Sequence, residues 1–457
     1  MPRYRDRAWG YIVVCMIAWG IKAPHVQADD WPQWLGPKRD GVWRETGILE
    51  KFPAGGPKVR WRYPVGEGYS GPAVADGKVF ITDRVLAKGA SSPADPFDKK
   101  RTNGKERILC LRETDGTFVW QYEYECPYQV SYPAGPRTTP AVTKDKVYAL
   151  GAMGDLVCLD RKTGAKVWHK KLADEYHMEV PMWGFAGHPL IDGDRLICLV
   201  GGAGSVVVAF DKDTGKELWK ALSAKEPGYA PPMIYEFGGK RQLILWHPQA
   251  VNSLNPETGA VYWSAPYGGL TSKTGVKAGM TIPSPRKAGD YLFLTNFYDG
   301  SLMLKTSGTN PPAVAWRSMG RSEQPHDTES LHAVMNTPII KDGYIYGVCS
   351  YGELRCLKAD TGARIWATHE YTTKKSVRWG NAFLVEQADR CILFNEGGEL
   401  IIAKFTPKGH EEISRAKILE PTNTMAGRRV VWSHPAFANR SVYARNDLEI
   451  ICVSLAK

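Results

Sequence analysis

Short runs of alternating hydrophobic and polar residues make up most of the chain, and turn residues separate them. Lys78–Thr82 and Tyr344–Val348 are two such runs, and each follows an Asp-Gly pair. A period of two predicts a strand with one buried face, and Asp-Gly between two such runs predicts a hairpin. The pattern therefore predicts an all-β protein built from antiparallel hairpins.

A tryptophan-containing motif recurs about every 50 residues, a spacing typical of repeat architectures. One copy is Ala209-Phe-Asp-Lys-Asp-Thr-Gly-Lys-Glu-Leu-Trp219, in which a Thr-Gly turn joins two strands. Four strands per repeat are typical of a propeller blade, so we expect the repeated tryptophans to be structural. They are Trp61, Trp120, Trp168, Trp219, Trp263, Trp316 and Trp366.

The number of repeats predicts eight blades. Seven lie between about residues 71 and 419, and the seventh lacks the tryptophan. The last unit, 430–457, supplies only three strands, so we expect the strand at about 58–64 to complete it. Joining the two chain ends in one blade closes the ring and leaves no open sheet edge. The predicted fold is an eight-bladed β-propeller of four-stranded antiparallel blades, spanning 58–457.

The first 28 residues have the pattern of a secretory signal peptide. Arg3, Arg5 and Arg7 precede an uncharged stretch over 8–21, and small residues near Ala28 offer a cleavage point. The apolar stretch is short for a membrane span, although an uncleaved anchor is the alternative. Cys15 is not in a lipobox. We therefore expect a periplasmic or secreted protein with no transmembrane segment after cleavage.

Charge and cysteine content narrow the possibilities further. The net charge is +11, but no basic run reaches five residues, so we do not expect nucleic acid as a partner. Eight cysteines follow the signal segment. Cys110, Cys158 and Cys356 occupy equivalent positions in different blades, too far apart to bridge, which favours buried free thiols. Cys126, in a loop, is the one we expect to be accessible.

The loops that connect blades carry the candidate functional residues. In a propeller, the D-to-A and B-to-C loops share one face, around the mouth of the central channel; we call it the loop face. A long polar insertion at 84–106 lies there, as insertions with a function often do. We expect either a partner or ligand site on this face or side chains that merely fill the channel. The residues concerned are Arg137, Trp183, His188, His332, Asn336, Trp379, Asn381, Trp432 and His434.

One interblade loop contains several residue types that bind metals. His326, Asp327, Glu329 and His332 lie close together in the sequence. Their spacing matches no known metal motif, so we predict a solvated loop and no metal site.

The motif at 209–219 resembles the repeat of the pyrroloquinoline quinone (PQQ)-like propellers. This superfamily includes the quinoprotein alcohol dehydrogenases and the BamB-like outer-membrane assembly factors, and the resemblance covers about 58–457. The segment 29–57 resembles the N-terminal cap of secreted members. By that resemblance, we expect Trp31, Trp34 and Trp43 to pack against the propeller as a lid.

The resemblance implies two possible functions. The first is a non-catalytic, monomeric scaffold, with no cofactor, that binds a protein or cell-envelope partner on the loop face. The second is a PQQ- and Ca²⁺-dependent oxidoreductase of alcohols or sugars. In such an enzyme, Trp183, Trp379 or Trp432 would stack on the quinone and Asn381 would bind Ca²⁺. The catalytic base is unassigned. The chain lacks the adjacent cysteine pair of those enzymes, which favours the scaffold.

Overall fold

The computed structural model describes Met1 and residues 29–267 and 279–457. Apart from Met1, the predicted signal peptide lies outside the described residues. In the described part of the chain, the only α-helix is α1 (Leu172–Glu175), and no helix has the length and apolar character needed to cross a membrane.

Eight four-stranded antiparallel sheets form the blades of a propeller, which confirms the predicted fold. Within each blade the strands follow one another outward from the channel as strands A, B, C and D. Blade 1 contains β2 (Ala73–Ala75), β3 (Lys78–Leu86), β4 (Gly104–Arg112) and β5 (Phe118–Glu125). Blade 2 contains β6 (Ala141–Val142), β7 (Lys146–Leu150), β8 (Asp155–Asp160) and β9 (Lys166–Lys171). Blade 3 contains β10 (Leu190–Asp192), β11 (Arg195–Leu199), β12 (Val207–Asp211) and β13 (Glu217–Ala221).

The next four blades repeat this arrangement. Blade 4 contains β14 (Met233–Phe237), β15 (Lys240–His247), β16 (Ala250–Leu254) and β17 (Val261–Pro266). Blade 5 contains β18 (Arg286–Ala288), β19 (Tyr291–Asn296), β20 (Gly300–Ser307) and β21 (Asn310–Ser318). Blade 6 contains β22 (Ile339–Lys341), β23 (Tyr344–Val348), β24 (Leu354–Lys358) and β25 (Arg364–Thr368). Blade 7 contains β26 (Ala382–Gln387), β27 (Arg390–Asn395), β28 (Glu399–Thr406) and β29 (Gly409–Lys417).

The two ends of the propeller meet in blade 8. Its strands are β32 (Ala436–Ala438), β33 (Ser441–Arg445), β34 (Glu449–Ser454) and, as strand D, β1 (Val59–Pro64). In the pairing of β1 with β34, Trp61 is opposite Cys452. The expected ring closure is therefore confirmed. A short extra hairpin, β30 (Asn423–Met425) and β31 (Arg428–Val430), separates blades 7 and 8.

The repeated tryptophans join neighbouring blades. The indole N–H of Trp61 donates to the carbonyl of Glu113 in the next blade at 2.8 Å, and that of Trp120 donates to Arg161 at 3.1 Å. The ring of Trp120 lies against Gly164, where an added Cβ would be 2.6 Å from the indole. Gly164 also has a φ of +73°, which favours glycine. The turn and the tryptophan therefore act together across the blade interface.

All eight described cysteines are buried and unpaired, as expected for those in the blade strands. The prediction that Cys126 is accessible is wrong, because only 2% of this residue is exposed. Its loop folds inward and packs the thiol with Tyr128, Val130 and Ala152 in a small apolar cluster. Burial accordingly raises the pKa of the Cys126 thiol.

Candidate functional site

The N-terminal segment enters the central channel instead of covering it as a lid. Trp31 and Val74 of β2 exchange backbone hydrogen bonds of 2.8 and 2.9 Å. Further along, Trp43 N–H donates to Glu386 of β26 at 2.8 Å. Between these anchors, the indole N–H of Trp34 donates to the hydroxyl of Ser284, just before β18, at 3.0 Å. Contacts with inner strands on several sides of the ring place Trp34 inside the channel, and we call segment 29–43 the plug.

Arg39 fastens the plug to two further blades. Its guanidinium donates to the carbonyl oxygens of Pro189, at 2.9 Å, and Pro232, at 3.2 Å, both of which precede inner strands. The side chain is buried, and desolvation lowers the pKa of Arg39 to about 10, so it remains a cation at neutral pH. The carbonyl oxygens replace the water that this cation would otherwise bind.

Two of the predicted loop-face histidines pack on the plug. The ring of Trp34 stacks on His188 with centroids 4.0 Å apart and meets His434 edge-on at 4.2 Å. Thr139 holds both rings: its N–H donates to Nδ1 of His188 at 2.9 Å, and its hydroxyl lies 2.8 Å from Nε2 of His434. Burial lowers the pKa of His188 well below its usual range and that of His434 to about 3. Both are therefore neutral side chains of the channel interior.

Three other predicted residues brace the interblade loops from within. The ring of His332 donates from Nδ1 to the carbonyl of Phe297 at 3.0 Å, and burial lowers its pKa to about 4. The amide of Asn336 donates to the carbonyl of Val348 at 3.0 Å and to Oδ1 of Asn381 at 3.3 Å. All three side chains are buried.

The loop that contains His332 is only partly solvated, which corrects the expectation from the sequence. The side chain of His326 is 76% exposed, whereas His332 is fully buried. Within the described ranges, no three His, Cys, Asp or Glu side chains are grouped so as to hold a metal ion.

The long insertion reaches across the mouth of the channel. β3 and β4 extend into it, and the segment between them brings Phe97 to an aromatic group formed by Tyr132, Trp379 and Trp432. The Phe97 ring centroid lies 5.1 Å from that of Tyr132 and 6.1 Å from that of Trp379. Tyr132 in turn lies 6.2 Å from Trp432. We call these four residues the mouth cluster, in which Phe97 is 45% exposed.

Two members of the mouth cluster have an unusual backbone conformation. Tyr132 has a φ of 57° and Trp379 a φ of 62°, both in the left-handed region that bulky residues rarely adopt. Such strain persists only where surrounding contacts impose it, and it is concentrated at functional sites. Both residues contact Phe97, so two of the left-handed positions of the chain lie where the insertion meets the propeller.

Arginine side chains border this cluster. The guanidinium of Arg378 lies over the Trp379 ring, 4.8 Å from its centroid. Arg137 donates from Nε to the carbonyl of Trp183 at 2.9 Å, and Trp183 packs on Tyr229 with ring centroids 5.3 Å apart. Trp183 and Trp379 belong to one apolar cluster with Phe297. Arg137, Trp183, Trp379 and Trp432 therefore surround the mouth, while the histidines and asparagines lie beneath it.

Sequence reasoning missed Glu396, which is buried beneath the mouth. Its carboxylate accepts from Nε of Arg428 at 2.7 Å, from the indole of Trp432 at 3.2 Å and from the backbone of Asn381 at 3.1 Å. The sequence offered one indication of this residue, because Glu396 is an acidic side chain in the short, glycine-rich Glu396-Gly-Gly398 loop. Glu396 fixes Trp432 and the start of β26 relative to one another.

Comparison with known proteins places the chain in a family. A family model described as outer membrane protein assembly factor BamB matches residues 52–207 and 104–368, more than half of the chain. The chain belongs to this family. Its members are BamB-like propellers with PQQ-like repeats, as the tryptophan motif suggested.

Curated relatives of two kinds match the chain. BamB of Burkholderia pseudomallei is 26% identical over 229 residues, which cover 50% of this chain and 54% of that protein. Quinohemoprotein alcohol dehydrogenase ADH IIB of Pseudomonas putida is 27% identical over 173 residues, which cover 36% of this chain and 22% of that protein. The chain thus spans about half the length of the assembly factor and a smaller share of the dehydrogenase.

Solved structures of both kinds share the fold. BamB from Moraxella catarrhalis superposes with a TM-score of 0.55 at 14% identity, covering 81% of this chain and 98% of that one. Quinohemoprotein alcohol dehydrogenase from Comamonas testosteroni gives a TM-score of 0.59 at 13% identity, covering 93% and 80%. This likeness shows the fold, and function has to be argued from the site.

Proposed function

We propose that the protein is an exported, non-catalytic propeller that binds a protein partner in the cell envelope through its loop face. The mouth cluster is the observation that carries this proposal. It presents aromatic rings beside Arg378 and Arg428, and tryptophan, tyrosine and arginine are the residue types that dominate binding energy at protein interfaces. The backbone strain at Tyr132 and Trp379 supports a functional reason for presenting these rings.

The relatives indicate the kind of partner. Several of them are named as outer membrane protein assembly factors. By analogy, the partner of this chain would be a component of the machinery that assembles proteins in an outer membrane. Export by the N-terminal segment and action as a monomer belong to the same proposal.

Two sets of contacts at the mouth argue against a site for PQQ and Ca²⁺ there. Phe97 packs against Trp379, one of the three tryptophans that could stack on a planar quinone. Oδ1 of Asn381 already accepts a hydrogen bond from Asn336, and Glu396 is paired with Arg428. A Ca²⁺ ion needs several oxygen ligands, and at these two groups it would compete with an amide and a guanidinium that are already bound. These contacts support the scaffold over the oxidoreductase.

Photo-crosslinking in cells tests the proposed interface. A photoreactive phenylalanine analogue replaces Phe97 or Trp379 in the exported protein, and Lys162, exposed in the C-to-D turn of blade 2, is the matched control on the opposite face. We expect discrete protein adducts from positions 97 and 379 and none from 162. Equal adducts at all three positions, or none at the loop face, would contradict the proposal.

A cofactor titration tests the alternative function. The purified protein is mixed with PQQ and CaCl₂, and binding is followed by absorbance and by dye-linked alcohol oxidation. We expect neither stoichiometric binding nor dye reduction. Micromolar binding accompanied by dye reduction would overturn the scaffold proposal.

A further inference from the structure

The turn between β32 and β33 contains an arginine where related turns have glycine. This two-residue turn is Asn439-Arg440, with φ values of 52° and 51°. The corresponding turns of blades 1 and 6 are Asp76-Gly77 and Asp342-Gly343, whose glycines have φ values of 70° and 80°. Glycine adopts this conformation freely, whereas arginine is strained in it. The protein therefore retains the Arg440 side chain at a cost in stability.

Arg440 borders a cleft on the face opposite the loop face. The cleft has a volume of about 320 Å³ and is lined by Arg60, Asn439, Arg440, Ser441, Ser454 and Ala456. Arg60 belongs to β1, and Ser454 ends β34, so the walls come from both ends of the chain at the seam that closes the ring. A volume of this size is at the lower end of small-molecule sites.

Two arginine side chains line the cleft: Arg60 is bound to neighbouring groups, and the guanidinium of Arg440 is not bound to any described residue. Arg60 donates from Nη1 to Glu113 at 2.9 Å and from Nη2 to the carbonyl of Thr114 at 3.2 Å. The carboxylate of Glu45 is occupied by the indole of Trp43 and by backbone N–H groups, including that of Arg440 at 2.7 Å. By contrast, the guanidinium of Arg440 forms no hydrogen bond or ion pair with any residue in the described part of the chain.

The position of this guanidinium is nonetheless defined. It packs over Gly47, where its Cζ lies 3.7 Å from the place a Cβ would occupy. Gly47 has a φ of +72°, a conformation that favours glycine, so no side chain comes between its backbone and the guanidinium. Its N–H donors are consequently held at the cleft.

We propose that this cleft binds an oxyanion, the phosphate or carboxylate group of a small molecule. Arg440 supplies the planar donor pair that such groups accept in bidentate fashion. Arg60 lines the same cleft, with its charge offset by Glu113. The hydroxyl of Ser454 and the amide of Asn439 line the same space and complete the set of donors. Because the walls belong to β1 and to the C-terminal strands, a bound oxyanion bridges the two ends of the ring and stabilises the folded state.

Thermal denaturation and calorimetry of the signal-free chain test this proposal. Inorganic phosphate and succinate serve as probes at constant ionic strength. We expect at least one probe to raise the melting temperature of the wild type. The key variant, Arg440→Gly, relieves the strain and should raise the melting temperature without a probe by about 1–3 °C. It should also abolish the probe-dependent rise and weaken binding at least about 10-fold.

Two further variants complete the design. Ala388→Gly relieves a left-handed residue (φ 56°) in the equivalent turn of blade 7, outside the cleft, and should raise stability without changing the response to the probe. Arg440→Lys keeps the charge but loses the planar donor pair, so we expect intermediate binding.

The outcomes separate clearly. A wild type that responds to neither probe up to tens of millimolar, or an Arg440→Gly variant that binds as the wild type does, would overturn the proposal. Loss of binding in Ala388→Gly would also contradict it, because that change does not touch the cleft. A response to phosphate alone would show that the cleft prefers a phosphate group, and a response to succinate alone that it prefers a carboxylate.

Discussion

At the scale of single residues, the channel interior depends on imidazole rings that remain neutral. His188 and His434 contact Trp34, and His332 lies beneath the loop face, each with its pKa lowered mainly by burial. A protonated ring at these positions would be a buried cation, and the groups that bond these rings are the N–H and hydroxyl of Thr139 and the carbonyl of Phe297, none of them a carboxylate. The packing of the channel interior therefore depends on these three rings remaining neutral.

This linkage predicts a loss of stability in mild acid. As the pH falls below about 6.5, the unfolded chain takes up protons at these histidines while the folded chain does not. The free energy of unfolding should therefore decrease by about 1.4 kcal/mol per pH unit for each buried histidine, and the contribution should be fully present above pH 6.5. Urea denaturation at pH 7.5, 6.0 and 5.0 measures this slope.

A pair of histidine variants assigns the effect. His332→Gln should reduce the slope, since one protonation site is lost. His326→Gln, at an exposed position, should leave it unchanged. Identical slopes in the two variants would show that His332 is not responsible.

At the scale of elements, the blade interface joins a tryptophan of one blade to a turn of the next. The turn glycines at 116, 164, 215 and 259 would each place a Cβ 2.5–3.0 Å from the tryptophan ring of the preceding blade. The same positions have left-handed backbone, so the sequence motif meets two requirements at once. This explains why Thr-Gly and Trp recur together.

Gly164→Ala should therefore destabilise the protein more than a glycine substitution in an open turn. At Gly164, left-handed strain and the clash with Trp120 combine, and we expect a loss of about 2–4 kcal/mol. Gly193→Ala is the matched control, with a φ of 60° and no atom within 4 Å of the added Cβ, and should cost about 1–2 kcal/mol. Equal losses in denaturant titrations would exclude a role for the indole contact.

At the scale of the whole molecule, the plug links the blades across the channel. The indole of Trp34 donates a hydrogen bond to Ser284, 250 positions away in the sequence, and its ring stacks on His188. The cavity that remains beside it measures only about 20 Å³, which is space for about one water molecule. The plug is thus closely packed against the inner strands around Trp34.

Removal of the Trp34 side chain should consequently destabilise the entire ring. Trp34→Ala creates a large cavity in contact with several blades, and we expect a loss of about 3–5 kcal/mol in a single cooperative transition. Leu448→Ala, at a position 66% exposed, should change stability by less than about 0.5 kcal/mol. Thermal and urea denaturation measure both variants. A small effect of Trp34→Ala would mean that the plug is dispensable.

Much of the fold could be predicted from the sequence, but less of the candidate site. Trp379 and Trp432 were expected at the mouth and are found there, whereas His332 and Asn381 are buried beneath it. The burial of Cys126 was missed because a loop sequence does not show whether it folds inward. Glu396 was missed because its importance comes from three partners in separate segments, Arg428, Trp432 and Asn381.

The sequence by itself determined the number of blades, their four-strand pattern and the closing strand near Trp61. These features are local, since strand periodicity, Asp-Gly and Thr-Gly turns and the repeated tryptophans are all contained within units of about 50 residues. Only the tertiary structure decided that the N-terminal segment plugs the channel, that Phe97 closes its mouth and that Arg440 faces a cleft beside Arg60. Each of these features depends on contacts between segments that are far apart in the chain, and the repeat pattern of a single blade does not specify such contacts.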